Sequence, residues 1–113
     1  MNNSFGLKES DLINISSLLM DFPDIEEAYI FGSRAMGNYT KGSDIDIALR
    51  GDVNFEMISR INFLLNEETN MPYHFDVLNI NELQNNDLID HIERVGIKFF
   101  DQHPLTKSFP DFS

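Results

Sequence analysis

At 113 residues and 42% apolar composition, the chain has the size of one ordinary domain, is too apolar to be disordered and leaves no room for a second catalytic lobe. Nineteen Asp and Glu against eight Lys and Arg leave a formal net charge of −11, which argues against direct nucleic-acid binding but permits a nucleotide held through a divalent cation. With no cysteine there is no disulfide or thiolate metal site, and without a leader-like start or a membrane-length apolar run we expect a soluble cytoplasmic protein with no membrane partner.

No repeat or low-complexity tract interrupts the chain, so a single domain over 1–113 is expected. From Ser10 to about Met20, Leu12, Ile15, Leu18 and Leu19 recur at helical spacing, with Asp11 in the first turn and Pro23 beyond the end. Glu27 to Phe31 is aromatic and β-branched and runs into Gly32-Ser33, a strand ending in a turn. Arg34 to Ser43 is polar with two glycines and reads as a loop or short helix. Asp44 to Leu49 then alternates, so Asp44, Asp46 and Ala48 share one strand face and Ile45, Ile47 and Leu49 the other: one face acidic, one core. Phe55 to Asn66 carries Met57, Ile58, Ile61, Leu64 and Leu65 at helical intervals behind Asn54 as a cap. His74 to Ile80 predicts a third strand that brings in Asp76. From Glu82 to Phe99 a stripe of Leu83, Leu88, Ile89, Ile92, Val95 and Phe99 predicts a last helix with Gly96 in its final turn, and the tail 102–113 is expected to fray. The order predicts an α/β (α+β) fold, a small mixed sheet backed by helices.

Two aspartates on one strand face and a third on a nearby strand form a costly arrangement, because like charges at close range repel. Residues two apart on a strand lie roughly 6.5 Å apart and neighbouring strands about 4.8 Å, so Asp44, Asp46 and Asp76 can converge on a small site. Such a site suits Mg²⁺, whose hard oxygen ligands and paired ions serve in-line phosphoryl or nucleotidyl transfer. The Gly32-Ser33 turn offers backbone N–H groups and a hydroxyl to a phosphate at close approach. Arg34 suits a phosphate or an acidic neighbour equally, and Lys41 is a weaker candidate.

Gly32-Ser33-Arg34-Ala35, Gly37, Ser43-Asp44-Ile45-Asp46-Ile47-Ala48-Leu49 and Asp76 within His74-Phe75-Asp76-Val77 together resemble the minimal nucleotidyltransferase (MNT) proteins of the DNA polymerase β-like superfamily. The resemblance is carried by 27–80. It implies that Asp44 and Asp46 bind two Mg²⁺ ions, and that Asp76 completes the second metal site and activates the acceptor hydroxyl. It also implies that Gly32 and Ser33 hold the β and γ phosphates of ATP, with Arg34 and Ser43 as further nucleotide-binding candidates. MNT proteins of this size resemble antitoxins paired with HEPN-domain toxins, which members of the family silence by moving AMP from ATP to a tyrosine hydroxyl. A hetero-oligomer with such a helical partner is therefore expected. Transfer to a small molecule or RNA end, with a helical partner binding the acceptor, and a non-catalytic antitoxin acting by contact alone are the competing functions.

Blander readings stand beside these. A DxD pair alone is more often a solvated strand face, Asp76 an exposed strand residue and Arg34 an ion-pair partner for one of the aspartates. His74, His91 and His103 are explained without chemistry, since no pair has ligand spacing. Phe99 is assigned to the core, while Phe100, Phe109 and Phe112 stay open between core and partner surface.

Overall fold

A computed structural model describes residues 6–37, 40, 42 and 44–102. The chain runs α1 (Glu9–Met20), β1 (Ile25–Phe31), α2 (Ser33–Met36), β2 (Ile45–Gly51), α3 (Phe55–Phe63), which continues as a π-turn over Leu64–Glu68, β3 (Phe75–Asn79), a 3₁₀ turn at Ile80–Glu82, α4 (Asn86–Val95) and β4 (Ile97–Asp101). The four strands form one mixed sheet in the order β3-β2-β1-β4, with β1 antiparallel to β2 and β4, and β2 parallel to β3. The parallel pair needs a crossover, and α3 supplies it.

The alternation of β2 sets the core. Ile45, Ile47 and Leu49 face the same way as Ala28 and Ile30 of β1, Phe75 and Val77 of β3 and Phe100 of β4, and this face packs on Ile15 and Leu19 of α1 and Ile61 and Leu65 beyond. Leu12 and Leu18, from the same predicted stripe, are half-buried against that cluster. Asn54 caps α3 by accepting from the Met57 N–H at 2.9 Å, and Asn85 caps α4 through the Asp87 and Leu88 N–H groups.

The opposite face is less acidic than the alternation predicts. Beyond Asp46, Ala48 and its neighbours Tyr29 and Leu78 lie under Leu88 and Ile92 of α4, together with Phe31, Ile80 and Leu83, as a second small core. Carboxylates stand at both ends of that face: Asp46 and Asp76 at one, and Glu27 and Asp101, paired with Arg50 and Lys98, at the other.

The last predicted helix is corrected. It stops at Val95, and the chain re-enters the sheet as β4 beside β1. Gly96 makes the break possible: its backbone is extended (φ −62°, ψ 139°), its N–H still donates to Ile92 O at 2.8 Å, and a Cβ there would stand 2.3 Å from that same carbonyl oxygen. Phe99 is half-buried against the main core, and it is Phe100 that is buried within it. Phe109, Phe112 and the tail from residue 103 lie outside the described residues.

Candidate active site

The site is built where β1, β2 and β3 end or begin together. Strand register aligns Phe31 with Asp46 and Asp46 with Asp76, and paired residues on neighbouring strands share a face. One row across the sheet therefore reads Phe31, Asp46, Asp76. Asp44 precedes β2 on the same side, and its Oδ1 lies 3.7 Å from Nδ1 of His74, whose carbonyl accepts from the Ile45 N–H at 2.9 Å. The three aspartates predicted from the sequence are thus neighbours at one sheet end.

Their electrostatics reflect that crowding. Burial pushes the Asp46 carboxyl above the usual carboxylate range, the charge of Asp76 and then of Asp44 adds to the shift, and His74 pulls the other way. Asp46 is half-buried, whereas Asp76 and the Asp44 side chain, at 60% exposure, face solvent. Among the described residues no three acidic or imidazole side chains stand close enough to enclose an ion as they are. The donor set nonetheless fits a hard divalent cation: every carboxylate oxygen is of the preferred ligand type, two of the three groups are solvent-facing and can turn inward, and a cation would relieve the repulsion that raises Asp46.

Gly32 closes the other side. It follows Phe31 with φ 74° and ψ −151°, a conformation that a side chain opposes, and a Cβ on it would lie 2.3 Å from Asp46 Oδ2. Backbone and carboxylate thus approach each other as closely as glycine allows. Ser33 opens α2, a single turn that ends at Gly37 in the left-handed region. The polar stretch from Arg34 therefore opens as helix, as far as Met36. Ser43 and Lys41 lie outside the described residues.

Arg34 turns away from the row. It is 2% exposed, and its guanidinium carbon sits 5.4 Å from the centroid of the Tyr73 ring. The Tyr73 hydroxyl in turn donates to Oδ2 of Asp11 at 2.9 Å. Burial and the Asp11 carboxylate raise the Tyr73 hydroxyl above its ordinary value, with Arg34 opposing. The GSRA segment is thereby tied to α1 through the interior. Tyr73 belongs to no motif in the sequence, and His74, a lone histidine at a strand border, carries no spacing signal; only strand register reveals its place beside Asp44. His91, also read without chemistry, packs edge-on against Phe31 with ring centroids 6.4 Å apart.

A mixed sheet that presents neighbouring carboxylates beside a Gly-Ser turn has the donor types that transfer chemistry on a phosphate-bearing substrate uses. Comparison with known proteins is specific: residues 13–104 match the family described as Polymerase beta, Nucleotidyltransferase, and the chain belongs to that family. A curated relative from Methanocaldococcus jannaschii, provisionally named a protein adenylyltransferase, is 50% identical over 34 residues, which is 30% of this chain and 34% of the relative. The match thus spans about a third of that relative's length. Among solved structures, a toxin–antitoxin complex with AMP-PNP superposes with a TM-score of 0.67 at 21% identity, covering 91% of this chain and 81% of the other. A tri-AMPylated Shewanella oneidensis HEPN toxin in complex with its MNT antitoxin gives 0.66 at 18% identity, with 91% and 80% covered. At these identities the likeness establishes the polymerase β-like fold. Among the described residues no helix is long and apolar enough to cross a membrane.

Proposed function

We propose that this chain, acting as a single minimal nucleotidyltransferase domain with its working core at 27–80, transfers AMP from ATP to a hydroxyl of a partner protein. The reading assigns that hydroxyl to a tyrosine of a HEPN-type toxin, which the transfer silences. One observation carries the reading: the row Phe31, Asp46, Asp76 sets Gly32 against the Asp46 carboxylate, so a triphosphate lying on the turn would meet the acidic cluster. Family membership supports the chemistry, and the MNT–HEPN complexes among similar folds support the partner.

In this reading Asp44 and Asp46 would hold Mg²⁺, as two ions with Asp76 completing the second site. Bound there, the metal would neutralise the triphosphate and lower the cost of the charge that develops on the leaving oxygen. Gly32 and Ser33, with Ser43, bind and orient the phosphates through backbone N–H groups and hydroxyls. Arg34 supports that turn from behind, through Tyr73, rather than contacting the nucleotide. Asp76, exposed at the edge, accepts the proton of the acceptor hydroxyl. That oxygen then attacks the α phosphorus, pyrophosphate leaves, and the acceptor carries AMP. The acidic surface favours a basic partner through steered encounter, and the working unit is a hetero-oligomer in the cytoplasm.

The test is incubation with labelled ATP, Mg²⁺ and the protein encoded beside this one, followed by mass spectrometry of that partner. An AMP-sized adduct on a tyrosine is expected, and it should vanish with Asp44→Asn/Asp46→Asn while the circular dichroism spectrum persists. If the double variant still silences the partner fully, contact rather than chemistry is the mechanism. ATP turnover without a protein adduct would instead direct the search to a small molecule or RNA end.

A further inference from the structure

We propose that Asn62 and Asn66 are positioning residues that aim the Asp76 carboxylate by standing in for the missing neighbour of β3. The inference rests on the reading of Asp76 as a site carboxylate.

Among the described residues β3 is the last strand of the sheet, five residues long and paired with β2 on one side. A short parallel edge strand is a poor mount for a group that must be placed to within a fraction of an ångström, because half of its backbone groups have no ladder partner. Here the outward-facing groups on both sides of Asp76 are taken by side-chain amides. Asn66 Oδ1 accepts from the Phe75 N–H at 2.8 Å, and its Nδ2 donates to Phe75 O at 3.0 Å. Asn62 Oδ1 accepts from the Val77 N–H at 3.2 Å, and its Nδ2 donates to Val77 O at 3.2 Å. Each amide thus makes the two-bond pattern that a neighbouring strand would make, and the bracketed residue is Asp76.

The geometry explains why a helix can do this. Four residues of helix rise about 6.0 Å and two residues of strand about 6.6 Å, so amides at i and i+4 meet alternate strand residues with little mismatch. The π-turn starting at Leu64 falls inside that interval, where a local widening adjusts the second amide. The amides are themselves held: Asn62 Nδ2 also donates to Ile58 O at 3.2 Å, and Asn66 Nδ2 to Asn62 O at 2.9 Å. Both nitrogens thus have a helix acceptor and a strand acceptor, which uses both of their protons and locks the rotamers. Water could satisfy a strand edge with equal ease, so what the amides add is rigidity.

Amide hydrogen exchange by NMR and titration with Mn²⁺ in the presence of a non-hydrolysable ATP analogue test this on the full chain. In the wild type the Phe75 and Val77 amides should be protected despite their place at the sheet edge. Asn62→Leu/Asn66→Leu should release them, raise the Mn²⁺ midpoint and lower kcat, each by about tenfold, while KM for ATP stays within about twofold. Phe63→Ala, an exposed position on the same helix, should leave the metal midpoint unchanged. Should the double variant not fold, Asn62→Leu alone, which removes the longer pair of bonds, carries the same test. Amides that stay protected in the variant, an unmoved midpoint and kcat once they are released, or an equal loss in Phe63→Ala each overturn the proposal. Asp76→Asn separates the two readings: loss of transfer there with an unmoved midpoint in the amide variant sinks only the clamp, whereas full transfer in Asp76→Asn removes the assignment of Asp76 and the clamp with it.

Discussion

At Asp46 the needs of folding and of chemistry oppose each other. Its carboxyl is half-buried beside two like charges, so its folded-state pKa stands above the ordinary 3.8 of the unfolded chain. Below 3.8 both states are protonated and nothing is lost. As pH rises from there, the unfolded state ionises first, and stability falls until pH passes the raised folded value; above it the whole penalty is present. Asp46→Asn should therefore melt measurably higher than the wild type at pH 7 in EDTA. The difference should shrink on acidification and disappear well below pH 3.8, where the group is neutral in both states. A differential scan at several pH values checks it, and a difference that grows on acidification would contradict the cause assigned here. Gly32 shows the same tension in the backbone: its strained dihedrals serve a close approach to Asp46 and contribute nothing to the core.

At the scale of elements, the short parallel pair β2–β3 bears the proposed site, and β4 departs from the helical pattern of its own residues. The stripe Leu88, Ile92, Val95, Phe99 is a sound helical pattern, and periodicity alone extends the helix to Phe99. What overrides it is the open edge of β1, whose backbone groups gain partners when Ile97–Asp101 is extended. Gly96 was visible in the sequence but readable in two ways, as a tolerated helical glycine or as a break. Its role follows from the Ile92 carbonyl that fills the place of a side chain. Gly96→Ala should cost about 1–3 kcal/mol in urea unfolding, because helix α4 or strand β4 must shift to admit the methyl group. A loss below about 0.5 kcal/mol would mean that the junction is pliant.

Across the whole molecule, α1 is fastened to the site by a polar chain that runs from buried Arg34 through half-buried Tyr73 to buried Asp11. Asp11 also accepts from the Lys8 N–H at 3.3 Å, so it closes the helix start and the chain together. Tyr73→Phe keeps the ring under the guanidinium and removes one charge-assisted hydrogen bond, which should cost about 1–2 kcal/mol of global stability by urea melt. Loss near zero would show that water replaces the hydroxyl at no cost.

The acidic cluster, the Gly-Ser turn, helices α1 and α3, strands β1 to β3 and the kinship they imply were legible in the residues, because strand alternation and helical spacing are local properties that the chain carries wherever it folds. Strand order, the second small core under α4, the inward turn of Arg34, the approach of His74 to Asp44 and the amide bracket around Asp76 were not. Each joins residues far apart in the chain, and which of them meet depends on how the sheet edges are closed, a matter of packing free energy summed over the whole domain rather than of any local pattern.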